Sequence, residues 1–202
     1  MSKQNKKIDV VIAEDANCVY PNIPPFNPNS DYPEYPFKGN GQIDQNNAVY
    51  ELARILFKHS KYDETNFGKP NWNPLHKFIS PGDKVVIKPN FVLDYHADEK
   101  SIFSIITHPS LIRCLIDYCY IALDGEGEII IADSPQMNCN FKNLISITSL
   151  ESIKTLYKEI LSFDIQIIDL RPFYWENRKS SDPVFQKGDP LGYVTVDLHK
   201  DS

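Results

Sequence analysis

One stretch decides the expected fold of this chain: Ser80-Pro81-Gly82-Asp83-Lys84-Val85-Val86-Ile87-Lys88-Pro89-Asn90-Phe91-Val92. Residues 81–83 are typical of a tight turn, because proline presets φ and glycine tolerates the left-handed region. The β-branched run at 85–87 lacks polar alternation, which predicts a strand covered on both faces by helices. Proline cannot donate to a strand ladder, so the strand should end at once and leave Lys88 and Asn90 at its tip.

Strands and helices alternate along the rest of the chain. Apolar runs predict further strands at 8–13, 128–132 and 165–170, and an alternating run at 193–198 is a candidate edge strand. Apolar residues at helical spacing predict helices at 46–59 and from Thr107 to about Leu123, and a capping box at 148–151 predicts a third. This order predicts an α/β fold, a Rossmann-like three-layer sandwich with a mostly parallel sheet, as a single domain over 1–202.

Residues 19–41 form a stretch rich in proline and tyrosine. The prolines exclude a helix or a central strand. The aromatic rings exceed what a disordered linker carries, so we expect an ordered loop packed over the sheet edge. A mobile flap is the alternative.

Composition and charge exclude several classes of protein. The net charge of −6 provides no basic surplus for a nucleic acid. No apolar run approaches the ~20 residues that span a membrane, so we expect a cytoplasmic protein. The four cysteines show no CxxC spacing, which predicts free thiols and no iron–sulfur cluster or zinc site made by this chain alone.

Polar side chains directly follow four of the predicted strands. In a parallel sheet these positions meet at one edge, where ligands bind in open α/β folds. The convergence predicts a ligand site formed from the following residues: Glu14 and Asp15, Lys88 and Asn90, Asp133 and Ser134, and Arg171.

Each candidate has both a functional and a structural interpretation. Lys88 can hold an anion or act as a base, or it can simply pair with Asp133 or Asp15. Asp133 can bind Mg²⁺ or accept a proton. Asn90 can orient a ligand or belong to a turn, and Ser134 can contact a ligand or cap a helix that starts at the next proline.

A helix start follows the long loop after Asn90. The order Thr107-His108-Pro109 places a hydroxyl before a first-turn proline. A helix N-terminus attracts phosphate or carboxylate, which makes Thr107 and His108 candidate ligand contacts. A capping role for Thr107 and a solvated His108 are the alternatives.

Three of these segments together resemble a known family. The runs at 82–92, Thr107-His108-Pro109 and Ile129-Ile130-Ile131-Ala132-Asp133-Ser134-Pro135 are similar in order and spacing to the signature of the domain of unknown function 362 family. The resemblance covers about residues 80–136. It implies candidate ligand contacts at the following residues: Lys88, Asn90, Thr107, His108, Asp133 and Ser134.

The resemblance also sets expectations about the whole chain. Family members are typically longer, so this chain is expected to be the N-terminal part of a longer family domain. Some members carry ferredoxin modules with cysteine-rich motifs, and this sequence has none.

The leading functional hypothesis is a domain, part of an enzyme, that binds a small anionic metabolite at the C-terminal edge of its sheet. Lys88 and Asp133 are the candidate catalytic residues, Asn90, Thr107, His108, Ser134 and Arg171 are the candidate ligand contacts, and Mg²⁺ is a candidate cofactor held by Asp133. Two alternatives stay open. One is a non-catalytic module that docks a protein partner through loop 19–41, and the other is a fragment without independent activity.

Overall fold

The computed structural model describes residues 10–39, 43–176 and 182–197, which divide into two compact units. The first unit contains the described residues up to Asp83 together with Pro109–Gly127. The second contains Lys84–His108 and the described residues from Glu128 onward. The two units are considered separately below.

The first unit is built on two helices, α1 (Ala48–His59) and α2 (Pro109–Leu123), with a short 3₁₀ turn at Glu64–Asn66. Both helices were predicted. The Asn47 side chain accepts the Tyr50 N–H and so caps α1, while its own amide donates to the carbonyls of Phe26 and Asn27. The two helices pack around a buried aromatic cluster in which Trp72 lies edge-on to Tyr118.

The proline- and tyrosine-rich stretch belongs to this unit and packs several of its rings into it. Phe26, Tyr35 and Phe37 are buried, and the Tyr35 ring meets Tyr50 of α1 edge-on. Arg113 of α2 donates to the Tyr35 hydroxyl over 2.9 Å. These contacts agree with the expected ordered loop, which stays a prediction, and residues 40 and 41 lie outside the described residues. The placement over the sheet edge stays a prediction.

The second unit contains a three-stranded parallel sheet in the order β1 (Lys84–Ile87), β2 (Glu128–Asp133) and β3 (Ile165–Asp169). All three strands were predicted. The central strand is β2, whose residues from Ile129 onward are buried. The prediction that β1 is covered on both faces was wrong, because β1 is an edge strand and its Val86 side chain is 57% exposed.

Two helices and a small hairpin complete the second unit. Helices α3 (Phe141–Thr148) and α4 (Leu150–Leu161) follow β2, a 3₁₀ turn lies at Ile102–Ser104, and β4 (Phe173–Trp175) pairs antiparallel with β5 (Pro183–Phe185). The sequence predicted α4 but neither α3 nor the hairpin. The described chain is thus of mixed α/β type, with a three-stranded parallel sheet and four helices.

The capping box at 148–151 was a wrong prediction. Thr148 is the last residue of α3, and its hydroxyl bonds back to the Leu144 carbonyl over 2.8 Å. Ser149 adopts a left-handed conformation with φ 52° and joins α3 directly to α4. The local motif therefore marks a break between two helices rather than the end of a loop.

Two predicted strands are not formed in the parts of them that the structure describes. In the described part of the first, residues 10–13 are irregular, with Val10 and Ile12 exposed, and Ile8 and Asp9 lie outside the described residues. Residues 193–197 of the last predicted strand are described and are also irregular, and Leu198 lies outside. Both segments have strand-like patterns but lack a neighbouring strand among the described residues. No helix in the described part of the chain is long and apolar enough to cross a membrane.

Candidate functional site

The seven residues singled out as candidate catalytic residues or ligand contacts all lie in the second unit. Lys88 directly follows β1, and Asp133 is the last residue of β2. Because Ile87 pairs with Ile131 in the parallel register, the ends of the two strands lie side by side. Topology thus brings Lys88 and Asp133 together, as the sequence predicted.

Lys88 and Asp133 form an ion pair. The Lys88 ammonium lies 2.9 Å from Asp133 Oδ1, and the two side chains are 67% and 5% exposed, respectively. A longer contact of 3.5 Å joins the ammonium to the Pro89 carbonyl. The pairing that the sequence raised as the structural interpretation is therefore present, and it leaves the cation largely accessible to solvent.

The Asp133 carboxylate is held from several sides. The Phe91 N–H donates to Oδ2 over 2.6 Å, and the Ser134 N–H donates to Oδ1 over 2.8 Å. The Asp133 main-chain carbonyl accepts the Leu170 N–H. A buried carboxylate with these donors is fixed in position, so it can orient the Lys88 side chain.

Asn90 and Thr107 close the long loop that follows β1. The Asn90 N–H donates to the Thr107 hydroxyl over 2.9 Å, and the Thr107 N–H donates to the Asn90 carbonyl over 3.1 Å. The Asn90 side-chain amide donates to the Ile105 carbonyl over 3.1 Å. These bonds fix the backbone beside Lys88.

His108 is buried against the Phe103 ring, with 4.4 Å between ring centroids. Burial disfavours the charged imidazolium and lowers the pKa of His108 to about 4. His108 is therefore neutral at pH 7 and contributes no positive charge to an anion site. Its placement favours a packing role over direct ligand binding.

Ser134 is exposed at the end of β2. The expectation that it caps a helix was wrong, because residues 134–140 are all described and none is helical. Helix α3 begins later, and its cap is Asn140, whose side chain accepts the Asn143 N–H. Ser134 thus presents its hydroxyl at the surface beside Asp133.

Arg171 is fully buried and paired with Asp169, a residue that the sequence analysis did not single out. Its Nη2 donates to Asp169 Oδ2 over 2.6 Å, and its Nη1 donates to the carbonyls of Gln136 and Cys139. Burial alone would raise the pKa of Asp169, but hydrogen bonds from Arg171 and Gln186 outweigh it and hold this pKa below its usual value. These contacts favour a structural role for Arg171.

The signal for Asp169 was available in the sequence. The run Ile165–Leu170 places an acid near the end of a strand, two residues before a cation. In the parallel register Asp169 lies opposite Asp133. A groove of about 390 Å³ adjoins the Asp169–Arg171 pair and is also lined by Asn140, Lys142, Tyr174 and Trp175.

Glu14 and Asp15 lie in the first unit, and the described residues that precede them form no strand. Asp15 closes a local turn, in which its side chain accepts the Asn17 N–H and its carbonyl accepts the Cys18 N–H. The convergence predicted for this loop depended on a first strand, which residues 10–13 do not form.

The environment of Asp133 does not fit a Mg²⁺ ion. The carboxylate accepts hydrogen bonds from an ammonium and two N–H groups, and each of these donors points its positive end at the carboxylate. A second cation at this carboxylate would be repelled by them. Within the described residues, no group of three or more His, Cys, Asp or Glu side chains is arranged to hold a metal. Magnesium prefers a set of oxygen ligands, and the groups that contact the Asp133 carboxylate are nitrogen donors.

Comparison of the chain with protein-family models, with curated proteins and with solved structures finds no match. The resemblance to the domain of unknown function 362 family therefore stays a prediction that depends on the quoted motifs.

Proposed function

We propose that the second unit binds a small anionic metabolite through Lys88 at the end of β1. The observation that carries this proposal is an exposed ammonium held by a buried carboxylate at the C-terminal edge of a parallel sheet. Ligands of open α/β sheets bind at this edge.

The charge distribution supports an anion as the ligand. Asp133 is nearly buried and already has three donors, whereas the ammonium is two-thirds exposed. An approaching phosphate or carboxylate thus meets the cation before it meets the acid. Lysine is a compact point charge with three donors, which suits a phosphate or carboxylate group.

In this proposal some of the neighbouring residues contact the ligand, and others hold Lys88 and its loop in place. The Ser134 hydroxyl and the side-chain oxygen of Asn90 supply polar contacts, while Thr107 holds the loop. Asp133 is a positioning residue that orients Lys88. If the unit is part of an enzyme, the Lys88 ammonium stabilises negative charge that develops on the ligand. The Rossmann-like arrangement and the family resemblance are part of the same proposal.

A thermal-shift screen tests this function, with Lys88→Ala and a matched control, Lys84→Ala. Both lysines are exposed and lie at opposite ends of β1, and Lys84 pairs with the exposed Glu128. The ligands are inorganic phosphate, phosphorylated sugars, nucleotides and dicarboxylates. A ligand at a hundred times its dissociation constant adds about 2.7 kcal/mol to the stability of the binding form.

We expect at least one anion to raise the midpoint of the wild type and of Lys84→Ala but not of Lys88→Ala. A midpoint rise that persists in Lys88→Ala would place the binding elsewhere and contradict the proposal. The absence of any rise in the folded wild type would also count against it.

Docking of a protein partner through the proline- and tyrosine-rich loop is the second candidate. Its deeper rings are buried, but Val19, Tyr20 and Ile23 at its start are exposed. These three side chains are the part of the loop that can meet a partner. Under this candidate, the double variant Val19→Asp with Ile23→Asp abolishes partner binding, and Lys88→Ala leaves partner binding intact. Under the leading proposal, Lys88→Ala abolishes anion binding, and the double variant leaves anion binding intact.

A further inference from the structure

Strand β1 has one open edge. Within the described residues it pairs with β2 and with no other strand. Its Val86 side chain is 57% exposed, whereas β3, the other edge strand, has no exposed large hydrophobic residue. An open edge with an exposed β-branched side chain is a template for pairing with another extended segment.

The segment at residues 193–197 has the sequence of a strand but forms no strand in the described structure. Its sequence, Tyr-Val-Thr-Val-Asp, alternates as a strand does, yet the described structure leaves it irregular. Val194 and Val196 are 90% and 70% exposed. Two exposed valines at strand spacing are typical of a strand face that another strand covers.

Hydrogen bonds of one side chain hold the start of this segment near the end of β3. The Tyr193 hydroxyl donates to the Leu170 carbonyl over 2.7 Å and accepts the Asp189 N–H over 2.9 Å. A strand added at the open edge of β1 would lie three strand spacings from β3, or about 14 Å. Pairing with β1 of the same copy would therefore take the segment across the whole width of the sheet, whereas pairing with β1 of a second copy requires no such crossing.

We propose that residues 193–197 of one copy of this chain pair antiparallel with β1 of a second copy, and that the exchange is reciprocal. Such an exchange gives a closed two-fold dimer, because each copy carries both halves of the interface. This inference does not depend on the anion site.

In one antiparallel register between β1 and residues 194–197, opposite charges face each other at one pair and β-branched side chains face each other at the other three. The cross-strand neighbours in this register are Lys84 with Asp197, Val85 with Val196, Val86 with Thr195, and Ile87 with Val194. Opposite charges and β-branched pairs that face each other directly stabilise antiparallel strands. The self-complementary register favours a second copy over an unrelated partner.

Sedimentation velocity from about 10 µM to about 1 mM tests the dimer, since an interface this small should have an affinity in that range. The interface variant is Val194→Asp with Val196→Asp. The matched control is Leu191→Asp, which changes a residue that is 95% exposed but lies outside the pairing segment. We expect the wild type and the control to dimerise with rising concentration, and the interface variant to dimerise at least about tenfold more weakly, because it places charge against an apolar strand.

A charge exchange provides an independent test with little effect on packing. Lys84→Glu should weaken the dimer about threefold to tenfold, and Lys84→Glu combined with Asp197→Lys should recover most of that loss. A wild type that stays monomeric at the highest concentration overturns the proposal. Equal dimerisation of the wild type and the double-aspartate variant overturns it as well.

Discussion

At the scale of single residues, burial separates the two cations that the sequence treats alike. Lys88 and Arg171 both follow a strand of the sheet. Lys88 remains two-thirds exposed, whereas carbonyls of the segment after β2 close over the Arg171 guanidinium. A positive charge can bind a ligand only where the ligand can reach it, so Lys88 is the binding candidate, and the contacts of Arg171 favour a structural role.

His108 gives a prediction about pH. Its pKa is lowered to about 4 by burial, whereas the ordinary value is 6.5. Between these two values the unfolded chain binds a proton that the folded chain does not, so the stability due to neutral His108 is lost as pH falls from 6.5 toward 4. We expect the free energy of unfolding to drop by about 2 kcal/mol more in the wild type than in His108→Gln between pH 7 and pH 4.5.

Urea unfolding of the two proteins at both pH values measures this difference. The carboxylates change the free energy of unfolding with pH in both proteins. Their contribution therefore cancels when the wild type is compared with His108→Gln. Equal losses in the wild type and the variant would show that His108 is not held in its neutral form.

At the scale of elements, a buried ion pair ties the proline- and tyrosine-rich loop to α2. Arg113 Nε donates to Asp117 Oδ1 over 2.8 Å, and both side chains are fully buried. Arg113 Nη1 also donates to the Pro25 carbonyl, and the Tyr50 hydroxyl donates to the second oxygen of Asp117. One arginine thus joins a loop and two helices of the first unit.

Removal of this arginine should be costly. Arg113→Met leaves the Asp117 carboxylate buried without its cation, and we expect a loss of roughly 3–5 kcal/mol in the free energy of unfolding. Lys84→Met removes the cation of an exposed pair and should cost at most about 1 kcal/mol. Chemical denaturation of both variants tests the contrast, and similar small losses in the two would contradict a stabilising role for the buried pair.

The element scale also shows where sequence patterns fail. The run at 85–87 predicted a strand correctly, but β-branched residues do not reveal whether a strand is central or at an edge. That property depends on how many neighbours the rest of the chain supplies. The capping-box prediction at 148–151 was wrong because the Thr148 hydroxyl donates to the Leu144 carbonyl within α3. The four-residue motif does not reveal which of these two hydrogen bonds a threonine makes.

At the scale of the whole molecule, the sequence predicted the alternation of strands and helices and the meeting of Lys88 with Asp133. These features depend on local periodicity and on the rule that parallel strands end at the same edge. The roles of Arg171 and His108 could not be predicted, because they depend on burial by residues distant in sequence. The predicted strand before Glu14 and Asp15 is likewise not formed at residues 10–13, because a strand needs a neighbouring strand that the described structure does not provide.

The most direct test of the anion site is an amide chemical-shift titration of the ¹⁵N-labelled protein with inorganic phosphate and with the best anion from the thermal-shift screen. We expect saturable shifts at the amides of Phe91 and Ser134, which donate to Asp133, and at Lys88, with little change at Lys84 and Glu128. The same titration of Lys88→Ala should show none of these shifts. Saturable shifts confined to other regions, or shifts that persist in Lys88→Ala, would contradict the account.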